Sequence, residues 1–161
     1  GPVYDTAFCK KMEDRSAVPA ITAAGALVEA LKDLNVNRVS FASPYTKQLN
    51  QEGADFLQQC GYSVVDVTYI GSDLGNYGQG GLSPDEVFAL GLKANHVDAE
   101  AIGLSCTDMR AVEIIERLET VTSKPVITSN QAMMYLACKR LKLENSVPGK
   151  LSFIDTTSME S

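Results

Sequence analysis

Cys106 lies where a reactive thiol would be expected, because it follows a short apolar run and precedes a periodic helical segment. The run 101–104 is typical of a buried parallel strand, and residues 111–118 have helical periodicity. A thiol between them would be close to the unpaired N–H groups of the helix, which favour the thiolate over the thiol. The pattern indicates a nucleophile or an acid/base group. The alternative is a free cysteine packed as a small hydrophobic residue.

Small polar residues follow each predicted strand, at 43–45, 71–82, 105–107 and 128–130. The carboxyl ends of parallel strands meet at one edge of a sheet, and ligands of such sheets bind there. Hydroxyl and amide groups from four segments should therefore surround the Cys106 thiol. This convergence favours the functional interpretation of Cys106 and makes Ser105 and Thr107 candidate substrate-binding residues.

Alternating strand and helix patterns predict the elements that hold these residues. Strands are expected at 38–42, 63–70, 101–104 and 125–128, and helices at 4–16, 22–34, 44–60, 84–95, 111–121 and 130–143. Residues 17–21 should form a short strand before the second helix, and Ser152 to Ser161 should form a tail. The alternation predicts an α/β protein with a parallel sheet flanked by helices on both faces.

Capping residues mark several of these boundaries. Thr22, Ser83 and Ser129 are predicted N-caps, and Ser43 is a predicted N-cap with Pro44 at the first helical position. Between the second strand and Ser83, residues 71–82 contain five glycines and are expected to form a loop. This loop lacks a P-loop or dinucleotide-binding pattern. A mobile lid over a ligand is the favoured interpretation, and a flexible connector is the alternative.

Charge and composition restrict the function. The chain has 161 residues and a formal net charge of −6, so it lacks the basic surface that nucleic acid requires, whereas a small anionic substrate is compatible. No apolar run is long enough to span a membrane. The four cysteines form no C-x-x-C pair and His96 is the only histidine, which disfavours a metal site and suits a reducing, cytoplasmic location.

Several motifs occur in an order that resembles the aspartate/glutamate racemase superfamily, and within it the maleate cis-trans isomerases and arylmalonate decarboxylases. They are Val-Pro-Ala-Ile-Thr at 18–22 with Gly-Ala-Leu-Val-Glu-Ala-Leu at 25–31, Ser-Pro-Tyr-Thr at 43–46 with Asn50, Leu-Ser-Cys-Thr at 104–107 with Arg110, and Pro-Val-Ile-Thr-Ser-Asn-Gln-Ala at 125–132. The resemblance extends from Tyr4 to about Leu151.

The resemblance implies a cofactor-free enzyme that acts next to a carboxylate. It also implies two similar α/β domains that each contribute one cysteine to a cleft between them. Cys106 matches the second of these cysteines, Tyr45 matches a tyrosine that contacts the substrate carboxylate, and Asn76 matches an asparagine of the loop over the substrate. A thiolate at that place can add to an activated alkene or exchange a proton at carbon.

One departure from the family pattern concerns the upstream half, whose own cysteine lies in a Cys-Thr-Ser-Gly context. This sequence contains no such motif, and Cys9 does not replace it because Cys9 lies in the helical stretch that follows the motif in the family. We therefore expect residues 1–2 to be a tag remnant, 3–37 to border the missing first domain, 38–129 to form the racemase-like domain, and 130–161 to form a returning helix and tail. A truncated chain and a half-sized relative are both compatible with this pattern.

Three hypotheses follow for the function. The first is an isomerase, racemase or decarboxylase of small dicarboxylates that uses Cys106. The second is a carboxylate-binding or regulatory domain without efficient turnover, and the third is a protein without a small-molecule site, which the combination of Cys106, Tyr45 and Asn76 disfavours. Apolar surface at 4–21 and 130–143, which the missing half would cover, leads us to expect a homodimer.

Overall fold

Four parallel strands form the centre of the computed structural model, which describes residues 1–157. The strands are β1 (Arg38–Ser43), β2 (Ser63–Tyr69), β3 (Ala101–Leu104) and β4 (Val126–Thr128). Their order in the sheet is β2-β1-β3-β4, and each neighbouring pair is parallel. The predicted α/β class with a parallel sheet is confirmed, with strand boundaries within one residue of those expected.

Seven α-helices surround the sheet within residues 1–157. They are α1 (Pro2–Ser16), α2 (Ala23–Asp33), α3 (Lys47–Gln59), α4 (Gly75–Gly81), α5 (Pro84–Lys93), α6 (Ile115–Thr122) and α7 (Ser129–Leu141). Short 3-10 helices occur at Val112–Ile114 and Lys150–Phe153. No helix in this part of the chain is both long and apolar enough to cross a membrane.

The hydrophobic core has two parts, one on each face of the sheet. On one face, α2, α3 and α7 pack around Leu31, Phe41 and Tyr135. On the other face, α5 and α6 pack around residues that include Val87 and Ile115. Each strand contributes side chains to opposite faces because their direction alternates along the strand. The expected coverage of both faces by helices is therefore confirmed.

The capping predictions are right at α2 and α5 and wrong at α3. The Thr22 hydroxyl accepts a hydrogen bond from the Gly25 N–H, and Ser83 forms a reciprocal capping box with its glutamate three residues later. Ser43, however, is the last residue of β1, and Thr46 caps α3 instead. The Ser43 hydroxyl is engaged elsewhere, with a buried asparagine described below.

The segment 75–81 was predicted to be a loop and is instead the helix α4. Gly75 begins it with a φ of 56°, a left-handed conformation that favours glycine. Helix propensity does not predict this helix, because four of its seven residues are glycine, the poorest helix former after proline. Leu74 and Leu82, at the two ends, pack against the core of the α5 and α6 face and hold the segment in place.

The helix after Cys106 also begins later than predicted. A 3-10 turn occupies Val112–Ile114, and α6 starts only at Ile115. Cys106 is therefore separated from the helix by a loop, and the expected effect of helix N–H groups on its thiol does not apply in the predicted form. The environment of the Cys106 thiol must therefore come from other groups of the site, which are described below.

The predicted short strand at 17–21 does not form. The Ala20 N–H donates to the Glu13 carboxylate at 2.9 Å, and the Ala20 carbonyl accepts from the Arg140 guanidinium at 2.9 Å. Side chains of α1 and α7 thus take the backbone groups that a neighbouring strand would need. The segment follows an irregular path from α1 to α2.

The predicted tail is packed against the domain as far as the structure describes it. Leu151 is buried, and the Thr156 hydroxyl donates to the Leu143 carbonyl at 2.6 Å. The Glu119 carboxylate accepts hydrogen bonds from the backbone N–H groups of Val126 and Lys150, both at 2.9 Å. These contacts join the C-terminal segment to α6 and β4. The last four residues of the predicted tail lie outside the described part of the chain.

Helical spacing in the sequence predicts that Leu49 on α3 and Met134 on α7 lie in the core. Leu49 is instead 48% exposed, and Met134 is 59% exposed. Leu49 lines a cavity at the edge of the sheet, whereas Met133 beside Met134 packs against the core. Of the three α7 residues that helical spacing predicts for the core, Met133 and Cys138 are therefore placed correctly and Met134 is not.

Candidate active site

The carboxyl ends of the strands meet at one edge of the sheet, as predicted. Ala42 pairs with Leu104, and Leu104 pairs with Thr128, so the three strands end at nearly the same level. The Ser105 N–H donates to the Ala42 carbonyl at 2.9 Å and continues this ladder by one residue. Cys106 is consequently the first residue of its segment beyond the sheet.

A cavity of about 590 Å³ lies at this edge. Its polar wall includes Tyr45, Ser105, Thr107 and Ser129. Its apolar wall includes side chains of α2, β1 and α3, namely Leu27, Phe41, Leu49 and Phe56. The Glu52 and Asp55 side chains of α3 also line the cavity. A cavity that combines convergent hydroxyls with apolar side chains suits a small polar ligand. Ser105 and Thr107 line the cavity, whereas Cys106 between them is buried and is not part of the cavity wall.

Cys106 is only 3% exposed. Its thiol donates to the Gln79 side-chain carbonyl, with 3.5 Å between Sγ and Oε1. Burial, the neighbouring Cys106 side chain and the Asp108 charge raise the pKa of the Tyr45 phenol above its usual value. The phenol is therefore protonated at neutral pH and acts as a hydrogen-bond donor.

A buried polar network positions the segment that carries Tyr45. The Ser43 hydroxyl donates to the Asn50 side-chain carbonyl at 2.6 Å, and the Asn50 amide donates to the Thr68 carbonyl at 2.9 Å. The Tyr45 N–H in turn donates to the Ser43 hydroxyl at 3.2 Å. These bonds connect β1, β2 and α3 at the edge of the sheet. The turn after β1 is thereby held in one conformation.

The loop that carries Cys106 is tied to α7. The Asn130 side-chain amide, in the first turn of α7, donates to the Thr107 carbonyl at 2.9 Å. Thr128 and Gln131 form a capping box at the start of the same helix, so Thr128 is the cap and not Ser129 as predicted. The start of α7 therefore has a fixed position relative to Cys106.

The structure brings four of the five predicted site residues together. Tyr45, Ser105 and Thr107 surround Cys106 or line the adjacent cavity. Asn76 instead lies exposed on α4, and its predicted contact with a substrate stays a prediction. Gln79, three positions later on the same helix, is the residue that contacts the thiol. Helical spacing would have suggested this neighbour of Asn76, but only if residues 75–81 had been recognised as a helix.

The other cysteines are placed differently. Cys9 and Cys60 lie in partly exposed positions, where burial first and the Asp5 carboxylate second raise the pKa of each thiol. Cys138 is buried in α7. Neither Cys9 nor Cys60 has surroundings that favour a thiolate. Within residues 1–157, no group of three or more His, Cys, Asp or Glu side chains is arranged to hold a metal ion.

Comparison with known proteins supports the resemblance seen in the motifs. The family model for arylmalonate decarboxylase matches residues 1–154. The maleate isomerase of Alcaligenes faecalis is 33% identical over 138 residues, which are 84% of this chain and 54% of the relative. The maleate isomerase of Pseudomonas putida is 30% identical over 139 residues, 85% of this chain and 55% of the relative. The chain thus spans about half the length of the curated relatives it matches.

Solved structures agree with these matches. The maleate isomerase Iso from Pseudomonas putida S16 superposes with a TM-score of 0.84 at 26% identity, over 92% of this chain and 62% of that chain. An arylmalonate decarboxylase structure superposes with a TM-score of 0.79 at 23% identity, over 85% of this chain and 60% of that chain. The second likeness establishes the shared fold alone.

Proposed function

Because the chain belongs to the arylmalonate decarboxylase family, we propose that it forms the Cys106 half of a cofactor-independent isomerase that acts on a small dicarboxylate such as maleate. The observation that carries this proposal is the position of Cys106 between Ser105 and Thr107, which line one cavity together with Tyr45 and Ser129 at the carboxyl edge of the sheet. The match to maleate isomerases over more than four fifths of the chain supports the choice of substrate class.

Carboxylate recognition in this cavity relies on neutral donors. Tyr45 is held protonated by its surroundings, and the hydroxyls of Ser105, Thr107 and Ser129 line the same cavity. Donors fixed before the substrate arrives stabilise negative charge that develops during a reaction. The acidic net charge of −6 is compatible with this arrangement, since local donors and not a basic surface bind the anion.

The proposed reaction proceeds by addition and elimination. The Cys106 thiolate attacks one alkene carbon of maleate and forms a C–S bond, while the alkene electron pair moves to the neighbouring carbon and its carboxylate as an enediolate. The bond between the two former alkene carbons is then single and can rotate. Return of the electron pair restores the double bond, breaks the C–S bond, and releases fumarate and the thiolate.

The thiol must first lose its proton, and neither Tyr45 nor Gln79 can accept it as a base. We propose that the second acid/base group belongs to the half of the cleft that this chain does not contain. The family pattern places a second cysteine there, and this chain spans about half of its maleate isomerase relatives. The chain alone would then bind the substrate better than it converts it.

A carboxylate-binding domain without efficient turnover is the second candidate function. The burial of Cys106 favours it, because the described conformation keeps the thiol out of the cavity. No cofactor is proposed, the location is proposed to be cytoplasmic, and the proposed partners are a dicarboxylate and a second copy of the chain. Nucleic acid and membranes are not proposed partners.

Maleate binding and maleate-to-fumarate conversion, measured on the same sample, test the two candidates. Isomerase function predicts fumarate formation that disappears in Cys106→Ser and survives in the control Cys138→Ser. The binding function predicts a measurable dissociation constant for maleate without fumarate formation. If maleate neither binds nor reacts, both candidates are wrong.

A further inference from the structure

The helix α7 begins at the cavity, and its first residue, Ser129, is one of the residues that line it. We propose that the backbone N–H groups of Ser129 and Asn130, together with the Ser129 hydroxyl, form a subsite for one carboxylate group of the substrate. The proposal rests on the proposed function, because it takes a dicarboxylate as the ligand of the cavity. It adds the place at which one end of that ligand is held.

Two backbone donors at the start of α7 are available to a ligand. A helix leaves the N–H groups of its N-cap and its first three residues without partners inside the helix. In α7 the capping box satisfies two of these four, since the Thr128 N–H donates to the Gln131 side chain at 3.0 Å and the Gln131 N–H donates to the Thr128 hydroxyl at 3.3 Å. The N–H groups of Ser129 and Asn130 are the other two. They point out of the start of the helix, where the helix dipole also attracts an anion.

The Ser129 hydroxyl is a third donor, and it belongs to a residue that is only 2% exposed. Among residues 1–157, every fully enclosed side-chain nitrogen or oxygen has a hydrogen-bond partner. The Ser129 hydroxyl has no partner in this part of the chain, so its oxygen is not fully enclosed and opens onto the cavity that Ser129 lines. A largely buried hydroxyl without a partner costs free energy, and a bound carboxylate would remove that cost.

Hydrogen bonds from the neighbouring side chains hold these donors in place. The Asn130 side-chain amide donates to the Thr107 carbonyl at 2.9 Å, which joins the start of α7 to the loop that carries Cys106. The Gln131 side-chain amide donates to the Pro148 carbonyl at 2.7 Å, which joins the same turn to the C-terminal segment. Donors that are fixed before a ligand arrives bind it without a further ordering cost.

The acidic side chains of the cavity direct an anion toward α7. Glu52 and Asp55 line the cavity from α3. That helix packs against β1 and β2, whereas α7 follows β4 at the opposite edge of the sheet. A carboxylate in the cavity is therefore repelled from the α3 side and is stabilised by the donors at the start of α7.

Amide chemical shifts test the proposal at the atoms that it names. The isotope-labelled chain is titrated with maleate and, separately, with succinate, a dicarboxylate that has no double bond to isomerise. We expect both ligands to shift the amide proton resonances of Ser129 and Asn130 until the site is saturated, because a carboxylate accepts hydrogen bonds from these groups. The Gln131 amide is the internal control, since it already donates to the Thr128 hydroxyl and should shift much less.

A matched pair of serine variants tests the hydroxyl. Ser129→Ala removes the donor and keeps the helix, because alanine is the best helix former. The affinity for both dicarboxylates should fall about fivefold, as for the loss of one hydrogen bond. The control Ser63→Ala changes an exposed serine at the start of β2 and should leave the affinity unchanged.

The outcomes separate this proposal from the proposed function. Dicarboxylate binding that shifts neither the Ser129 nor the Asn130 amide, or an unchanged affinity in Ser129→Ala, would overturn the subsite and leave the proposed function standing. Shifts at both amides without fumarate formation from maleate would support the subsite and count against the isomerase. If neither dicarboxylate binds, the subsite and the carboxylate-binding function are both wrong.

Discussion

The Ser43 hydroxyl and the Asn50 side-chain amide, both fully buried, form a hydrogen bond of 2.6 Å at the end of β1. Asn50 also donates to the Thr68 carbonyl of β2, and Ser43 accepts from the Tyr45 N–H. This pair of residues therefore links the stability of the sheet edge to the position of the Tyr45 phenol, which lines the cavity. α3 begins at Lys47, directly after its N-cap Thr46.

Replacing Asn50 should destabilise the fold. Asn50→Ala leaves the Thr68 carbonyl and the Ser43 hydroxyl without their buried partner, which should lower the free energy of unfolding by about 1–3 kcal/mol. Urea denaturation measures this difference. The control Gln51→Ala changes the exposed neighbouring residue, and an equal loss in both variants would contradict the role given to the buried network.

Removing the Tyr45 hydroxyl should weaken dicarboxylate binding. Tyr45→Phe keeps the ring in place and deletes the donor, so maleate affinity should fall by about 1 kcal/mol or somewhat more, as for a hydrogen bond to a charged group. Isothermal titration measures the affinity of both proteins. Tyr77→Phe on the exposed face of α4 is the matched control, and an affinity unchanged by Tyr45→Phe would count against the binding role.

Glu119 should make stability depend on pH. Burial raises the pKa of this carboxyl above its usual value, although its hydrogen bonds from Val126 and Lys150 act in the opposite direction. The folded state then holds the proton more tightly than the unfolded state, so stability should fall as the pH rises from the unfolded pKa through the folded one. Urea denaturation over this pH interval should show a smaller fall in the free energy of unfolding for Glu119→Gln than for the wild type. The exposed control Glu144→Gln should show the same fall as the wild type. An equally large fall in Glu119→Gln would refute Glu119 as the origin of the pH dependence.

Self-association should bury the exposed apolar surface of α1. Val3, Tyr4 and Phe8 are exposed on this helix, which has no buried residue of its own. Exposed apolar surface tends to be covered by association, and a two-fold dimer is the commonest arrangement. Sedimentation should show a dimer for the wild type and a monomer for Tyr4→Glu. The control Phe153→Glu changes an aromatic residue that is exposed outside α1, and it should remain a dimer. A monomeric wild type would refute the prediction.

Local patterns in the sequence determined most of the architecture. The apolar runs that became β1, β3 and β4 are short, bounded and buried, and the caps at Thr22 and Ser83 act within three residues. Such signals depend on neighbours along the chain, so they can be recognised without the fold. The sequence also predicted that Tyr45, Ser105, Thr107 and Cys106 lie close together, since the carboxyl ends of parallel strands meet at one edge of the sheet.

Contacts between distant segments decided the rest of the site. Gln79 and Cys106 are separated by 27 positions, and their bond exists because Leu74 and Leu82 fix a glycine-rich segment over the thiol. The segment 17–21 stayed irregular because side chains of α1 and α7 took its backbone groups. Hydrogen-bond partners and burial depend on which elements pack together, and the periodicity of the sequence does not predict which elements do so. The sequence alone therefore determined that Cys106 and its hydroxyl-bearing neighbours could take part in the chemistry, and the tertiary structure decided that Gln79 contacts the thiol.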